Sequence, residues 1–432
     1  MRFHVLGVGS IGTLVAHHLR RAIPESDHLS LIIRKGRTSF KPEDAPRSLV
    51  VEFEGIRSQV KGGFQTEYAE TNGEAMFQLV QSFKQGTGRK QVEKKNGLSD
   101  GEKDAGLGKG GGEPIESLIV ATKATRTLQA IRQCSGRLGP NSTIVFLQNG
   151  MGLYESVVEN LFPHPDERPN FILATTTHGA WKKRDISTSH HVVHAGNGEF
   201  HFAIVPDSRS GQRDFERSFW AVPPDTPIEK RKLSLGDIED DPPSARTADD
   251  PKYISLRKTV AALLSLDLNT KWIPMAQLQI KLRQKLAINS GINPLTALVG
   301  CRNGDLLGSA YSKGIIRSIC QEASSVFREA SLQSDGTNGE SVFGGGMAAA
   351  GGLQALSADT LENETFRVIK NTGANYSSMV LDMERGQALE VDYMNGYLSR
   401  MGVAYQVPTP TVDALRRAVL LKASLRRNVD LL

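Results

Sequence analysis

The sequence predicts an α/β protein, with a parallel sheet and interleaved helices over residues 1–274 and an all-helical part over residues 275–432. Three observations carry this reading. A short β-prone run at the N-terminus breaks into closely spaced glycines and is followed at once by residues of helical periodicity. Apolar runs of strand length then alternate with helical patterns through the first half, as βαβ units require. From Met275 onward the apolar spacing is helical and stays so, which marks a shift of composition and a domain boundary.

Met1 to Arg21 is the most informative stretch. Phe3, Val5 and Leu6 lie in a strand-like run that ends in Gly7-Val8-Gly9-Ser10-Ile11-Gly12, and Leu14, Val15, His18 and Leu19 then recur at helical spacing. Strand, glycine turn and helix in that order form the context in which G-x-G-x-x-G signifies dinucleotide binding. Gly7 permits a tight turn, Gly9 lets the backbone approach a pyrophosphate, and Gly12 lets helix and strand pack closely. Ser10 and Ile11 complete the turn, and the N–H groups of the helix start face the phosphates. The N-terminal domain is therefore expected to be Rossmann-type.

The second strand is His28 to Ile33, and its end indicates which dinucleotide is bound. An acidic residue there would bond the ribose 2′-hydroxyl of NAD, but this chain has Arg34, followed by Lys35, Gly36 and Arg37. A guanidinium pairs with a 2′-phosphate in bidentate fashion, whereas a carboxylate repels it. The alternative is a solvated basic loop, and NADPH/NADP+ is the expected cofactor.

Strand-like segments follow at Leu49–Phe53 and Gln59–Phe64. Residues 85–112 are rich in Gly, Lys and charge with almost nothing apolar, and read as a flexible insertion. Ser117 to Thr122 reads as a buried parallel strand ending at Lys123, before a helix through Leu128 and Ile131. Ser142 to Leu147 is another, ending in Gln148-Asn149-Gly150-Met151-Gly152. All these strand ends fall on the edge of a parallel sheet where ligands bind. Further strands are expected at Phe171–Thr177 and Val192–Val205, with a turn at Gly196-Asn197-Gly198. Residues 207–251, with two Pro-Pro pairs and an acidic run, are expected to hold little fixed structure. A helix at Thr259–Leu266 and a strand at Thr270–Ile273 complete the first domain, and a third low-complexity loop spans about 334–352.

Composition bounds the function without choosing it. A chain of 432 residues is long enough for two cored domains. The net charge of +5 is modest, spread along the chain and suits small anionic ligands as much as nucleic acid, and no nucleic-acid partner is expected. Cys134, Cys301 and Cys320 are far apart and odd in number, which suggests reduced thiols inside the cell. No cysteine or histidine spacing matches a metal site, and no apolar run approaches the roughly 20 residues of a membrane span. With the first strand starting at residue 2 or 3, no signal or transit peptide is expected; the cytoplasm is the expected location, and a mitochondrial one stays open. Oligomeric state is open between monomer and homodimer.

In the helical part, Leu278, Leu282 and Leu286 form a core stripe, while Lys281, Lys285, Asn289 and Asn293 recur on another face. Asn competes for backbone hydrogen bonds inside helices, so two of them in line with a lysine suggest a polar face with a function. Spacing alone leaves a solvated face as an equal alternative. Farther on, Asn375, Ser378 and Asp382 share one helical face at i, i+3 and i+7, and Glu390 follows the Gly386 break. Alone this is read as an amphipathic helix with surface acids.

Taken together, Gly7–Gly12, Lys123, Gln148-Asn149-Gly150-Met151-Gly152, Thr175-Thr176-Thr177-His178, Lys285-Leu286-Ala287-Ile288-Asn289 through Ile292-Asn293-Pro294-Leu295-Thr296, Ser377-Ser378-Met379 and Glu390-Val391-Asp392 occur in the order seen in the ketopantoate reductases. The resemblance spans nearly the whole chain apart from the three insertions. It implies a Rossmann domain plus a helical domain, and NADPH-dependent reduction of 2-dehydropantoate to (R)-pantoate on the route to pantothenate and coenzyme A. It implies that Lys285 is the general acid, and that Glu390 helps hold the substrate hydroxyl and the site geometry. Asn289, Asn293 and Ser378 resemble substrate-binding groups, with Asn375 beside them. Asn149 resembles the residue at the cofactor–substrate junction, and Lys123 and Arg34 those that favour NADPH. One departure stands out: the family commonly has Gly-Arg-x-Thr-Glu where this chain has Gly386-Gln387-Ala388-Leu389-Glu390. Two alternatives accompany the leading reading, a related 2-oxo acid reductase on the same scaffold and a non-catalytic regulatory homologue.

Overall fold

The computed structural model describes residues 1–34, 48–69, 113–183, 189–209, 213–223, 225–238, 250–334 and 351–429. Insertion 85–112 and nearly all of the loop 334–352 lie outside the described residues. The strands are β1 Arg2–Leu6, β2 His28–Arg34, β3 Ser48–Phe53, β4 Ile56–Lys61, β5 Gln65–Ala69, β6 Ser117–Val120, β7 Thr143–Phe146, β8 Asn170–Thr176, β9 Gly179–Lys182, β10 Ser189–Gly196, β11 Phe200–Ile204 and β12 Thr270–Trp272. The helices are α1 Ser10–Ala22, α2 Ala124–Arg132, α3 Leu153–Leu161, α4 Arg217–Trp220, α5 Pro251–Leu264, α6 Met275–Val299, α7 Ala310–Ser334, α8 Gly352–Ala355, α9 Ala358–Asn371, α10 Ser378–Glu384, α11 Asn395–Ala404 and α12 Pro410–Val429.

The main sheet has eight strands in the order β12-β11-β8-β7-β6-β1-β2-β5. From β5 to β8 every pairing is parallel, and β11 runs antiparallel to β8. Strands β6 and β7 are buried along their whole length, which is why they read as continuous apolar runs without alternation. Val5 of β1 pairs with Leu31 of β2 on one side and Ile119 of β6 on the other, and all three are fully buried. The sheet's core therefore centres on the strand that leads into the glycine turn.

The segments expected as strands at Leu49–Phe53 and within Val192–Val205 divide between two sheets. β3, β4, β9 and β10 form a separate four-stranded sheet in the order β4-β3-β10-β9. It lies against α1, with Leu49, Val51 and Val192 in the same apolar cluster as Leu14 and Leu19. Past the Gly196-Asn197-Gly198 turn the chain crosses into the main sheet as β11. A β-carbon on Gly198 would meet the His178 nitrogen at 2.6 Å, so this crossing admits no side chain there.

The expectation that residues 207–251 hold little fixed structure is corrected over their described part. Phe215, Phe219 and Ile238 are buried, and Phe215 and Ile238 join the core of the first domain. Asp207 and Arg209 form a buried ion pair in which Arg209 Nε donates to Asp207 Oδ1 at 2.8 Å. Arg209 Nη2 also donates to Asn170 Oδ1 at 2.7 Å, the Tyr253 hydroxyl donates to Asp207, and the Arg213 guanidinium stacks 4.5 Å from the Tyr253 ring centroid. Three anchors scattered among charges carry no period, so hydrophobic patterning did not register them. Helix α5 also starts earlier than expected, at Pro251, because the Asp250 side chain accepts the Lys252 N–H at 3.0 Å as an N-cap.

From Met275 onward the described elements are helical and surround their own apolar cluster. No described helix is long and apolar enough to cross a membrane. The buried pair makes the packing of 207–238 testable. Arg209→Ala removes the cation from Asp207, leaving it the Tyr253 hydroxyl and a backbone N–H, and unpairs Asn170 Oδ1; leaving buried polar groups unmet costs about 1–3 kcal/mol. Urea unfolding should read that loss, whereas a loosely attached loop would lose well under about 1 kcal/mol.

Candidate functional site

The glycine turn has the geometry that its sequence implies. Gly7 has φ +95°, and a β-carbon there would lie 2.7 Å from Thr122; on Gly12 it would lie 2.0 Å from the Gly7 carbonyl oxygen. Around Gly9, by contrast, a β-carbon would meet nothing within 4 Å. Gly9 is the N-cap of α1, no side chain caps the helix, and its first turn carries no acidic residue. Two glycines are thus filled by protein, while the third opens onto a helix N-terminus whose N–H groups suit an anion. These residues fit a dinucleotide pyrophosphate. Arg34 ends β2, one strand over from this turn.

The carboxyl ends of the neighbouring strands supply the rest. Lys123, just past β6, is the N-cap of α2, and its ammonium pairs with the largely buried Asp382 carboxylate. Asn149 follows β7 in a turn where Gly150 and Gly152 have φ +85° and +91°. A β-carbon on Gly150 would sit 2.3 Å from the Tyr393 carbonyl oxygen, which accepts the Met151 N–H at 3.0 Å. The Asn149 turn is therefore clamped against the segment that follows Glu390.

Lys285 lies midway along α6 and faces the sheet. Its half-buried ammonium donates to the Thr176 carbonyl oxygen at 2.9 Å and approaches the Thr175 hydroxyl at 3.4 Å, at the end of β8. The solvated-face alternative therefore fails for this residue. Burial draws the Lys285 ammonium down to about 8, and the nearby Glu390 charge opposes that fall. Glu390 is buried, and its Oε1 accepts the Ala124 N–H at the start of α2 at 2.7 Å. Burial pushes its carboxyl above the usual carboxylate range, while the Ala124 N–H, Lys123 and Lys285 pull the other way. The reading of Glu390 as a surface acid is thereby replaced.

Asn289 is half-buried on the helix that carries Lys285, and Asn293 is buried with its Nδ2 3.7 Å from the Met394 sulfur. The structure does not put Asn375, Ser378 and Asp382 on one face. Ser377 is the N-cap of α10, its hydroxyl accepting the Val380 N–H at 3.3 Å and the Thr296 hydroxyl proton at 2.8 Å. Asn375 consequently falls in the preceding turn, where its carbonyl accepts the Asn303 N–H at 2.9 Å. Asn375 and Ser378 are exposed, while Asp382 is buried. His178, although part of the Thr175–His178 motif, is buried toward the second sheet, with Nδ1 2.9 Å from His194 Nε2. A separate, shallow surface pocket lined by residues such as Tyr154, Arg168, Asp207 and Arg209 contains none of these site residues.

Sequence reasoning missed Asp382 as the partner of Lys123, and Tyr393 as the clamp on the Asn149 turn. Asp382 occupies the expected helix but pairs across 259 positions, a distance no local pattern encodes. Among the described residues, no group of three or more His, Cys, Asp or Glu could hold a metal ion.

Two family models match the chain: ketopantoate reductase PanE/ApbA over residues 75–207, and its C-terminal counterpart over residues 277–423. The probable 2-dehydropantoate 2-reductase of Schizosaccharomyces pombe is 28% identical over 290 residues, covering 67% of this chain and 69% of that one. The 2-dehydropantoate 2-reductase of Vibrio cholerae is 27% identical over 303 residues, covering 70% and 76%. Among solved structures, D-mandelate dehydrogenase with NADH and anilino(oxo)acetate superposes with a TM-score of 0.58 at 16% identity, covering 98% of each chain, a likeness of fold alone.

The state of Lys285 is measurable through stability. An ordinary lysine titrates at 10.5 and this one at about 8, so between those values the unfolded chain holds a proton that the folded one has lost. Stability must then rise with pH across that window, because the penalty of burying the charge is present below pH 8 and relieved by 10.5. Lys285→Met should therefore gain most over the unmodified protein below pH 8 and progressively less up to 10.5. Equal differences at pH 7 and pH 10 in urea unfolding would contradict the assignment.

Proposed function

The chain belongs to the ketopantoate reductase family, and from that premise we propose that it reduces 2-dehydropantoate to (R)-pantoate with NADPH. The observation that carries this reading is Lys285: a half-buried ammonium with a lowered affinity for its proton, held at the carboxyl edge of a dinucleotide-binding sheet. The glycine turn with the α1 N-terminus would hold the pyrophosphate, and Arg34 and Lys123 would favour the 2′-phosphate. The dihydronicotinamide, when bound, supplies a hydride.

The residues of this chain then account for the charge and the proton. As negative charge develops on the carbonyl oxygen of the 2-oxo acid, the Lys285 ammonium stabilises it and transfers a proton to it, becoming a neutral amine. With its acidity raised, Lys285 gives up this proton more readily than an exposed lysine, yet it remains mostly charged at neutral pH. Glu390 accepts a hydrogen bond from the substrate hydroxyl, and Asn289, Asn293 and Ser378 bind its polar groups, with Asn149 at the junction with the cofactor. A regulatory homologue without activity has no need of a desolvated lysine facing a buried carboxylate. A related 2-oxo acid reductase does need one, so turnover of 2-dehydropantoate against 2-oxoisovalerate distinguishes the two enzymatic readings.

Lys285→Ala should lower kcat and kcat/KM together by about 10²–10⁴-fold, the usual worth of a positioned acid, with little change in NADPH affinity. Near-normal kcat in the folded variant would leave Lys285 without a role in the chemistry. For the cofactor, the unmodified protein should strongly prefer NADPH, and Arg34→Asp should weaken NADPH selectively, by roughly 1.5–3 kcal/mol if a charge-assisted bond is lost. Equal kcat/KM with NADH and NADPH before any substitution would refute the role of Arg34.

A further inference from the structure

Pro294 lies inside α6. Proline has no N–H, so the carbonyl one turn earlier, that of Ser290, loses its helical donor. Ser290 is fully buried, which makes an unmet carbonyl costly there. The missing donor comes from 105 positions away: Asn395 Nδ2 bonds the Ser290 carbonyl oxygen at 3.0 Å, and Asn395 is itself fully buried. Its own Oδ1 meets no protein partner, so a buried amide is kept for its donor alone. A leucine of similar volume would fill the same space without the desolvation cost of a polar group.

The location of this bond matters more than its strength. The interrupted turn of α6 falls between Asn289 and Asn293, and Lys285 is on the same helix. Asn395 begins α11, directly after the segment that carries Glu390 and Tyr393. Met394, the residue between, receives Asn293 Nδ2 on its sulfur at 3.7 Å. One side chain therefore links the interrupted turn of the lysine helix to the short helical turn that follows the Glu390 carboxylate.

We infer that Asn395 is a positioning residue: through the Ser290 carbonyl it fixes the proline-interrupted turn of α6, and with it the placement of Asn289 and Asn293 relative to Lys285 and Glu390. The kinetic side of this inference rests on the reductase reading above; its stability side does not. Asn395→Leu keeps the volume and removes the donor. Pro294→Ala returns a backbone N–H to the Ser290 carbonyl, and so should make Asn395 dispensable.

The test is a double-mutant cycle over N395L and P294A, read in Tm and in steady-state kinetics with NADPH and 2-dehydropantoate. N395L alone should raise KM for the 2-oxo acid and lower kcat/KM by roughly 10- to 100-fold, as small misplacements do, while KM for NADPH moves less than about threefold. In the P294A background the same change should cost less than about threefold in kcat/KM, and the Tm losses should be coupled in the same sense. Equal losses in both backgrounds, or a fall in Tm with kinetics unchanged, would overturn the inference. Should N395L fail to fold, a folded and active double variant supports it and an unfolded one overturns it. An unmodified protein that reduces no 2-oxo acid removes the reductase reading instead, and the Tm cycle still decides for or against the Asn395 link.

Discussion

Residues 390–395 are the constraint on which the two halves of the molecule depend. Glu390 accepts the first N–H of α2, the Tyr393 carbonyl accepts the N–H of Met151 in the Asn149 turn, Met394 receives Asn293, and Asn395 supplies the Ser290 carbonyl. Asp392 is in turn held by Arg416 at 2.6 Å, which fastens the segment to α12, and Val391 is fully buried in the helical core. The sheet edge and the lysine helix are thus referenced to a single short stretch of backbone. Each contact is modest alone, a hydrogen bond contributing about 1 kcal/mol net, but a buried donor or acceptor left unmet costs about 1–3 kcal/mol. The segment is held less by what its bonds gain than by what breaking any one would leave unpaired.

Charge at this junction alternates in sign. Lys285, Glu390, Lys123 and Asp382 lie close enough that three of them appear among the influences on the fourth, Glu390. Burial disfavours both the Glu390 carboxylate and the Lys285 ammonium, and each moderates the penalty of the other. Because desolvation is the larger influence on both, each group is shifted toward its neutral form. A lysine in that condition can give its proton to a developing alkoxide at low cost, whereas one locked in a close salt bridge could not. Asp382 has the complementary part of holding Lys123 at the α2 N-terminus, beside the Glu390 carboxylate.

Much of this was legible from local patterns. The βαβ alternation, the Gly7–Gly12 turn and the switch to helical spacing at Met275 each rest on contacts between near neighbours in sequence, and these appear in the structure as β1, α1, the parallel strands and the helices from α6 onward. What escaped was set by distant partners. Ser377 starts α10 two residues after Asn375, where the i, i+3, i+7 spacing places no boundary, because its hydroxyl bonds both Val380 and Thr296. Phe215, Phe219 and Ile238 gave order to a stretch whose composition reads as loop, because three anchors and a buried ion pair suffice where no periodic face exists. The second sheet was illegible for a related reason. Strands β3 and β10 pair in parallel across a wide gap in sequence, and their apolar residues look the same whichever sheet they join.

The same distinction separates the glycines of the site. Gly7, Gly12, Gly150 and Gly198 are filled by this chain's own backbone and side chains, so their lack of a β-carbon is explained within the folded protein. Gly9 is different: a side chain there would touch nothing. In the middle of a strand-to-helix turn, an unfilled glycine beside uncapped helix N–H groups leaves backbone donors without protein partners and space in front of them. Helix stability alone does not favour that arrangement, since a serine or aspartate cap at Gly9 would stabilise α1 by roughly a few tenths of a kcal/mol. A phosphate-bearing ligand does account for it, because it would occupy the space and satisfy the donors together. The sheet thus holds its open position beside closed ones, and the segment from Glu390 to Asn395 brings the lysine helix to the same edge.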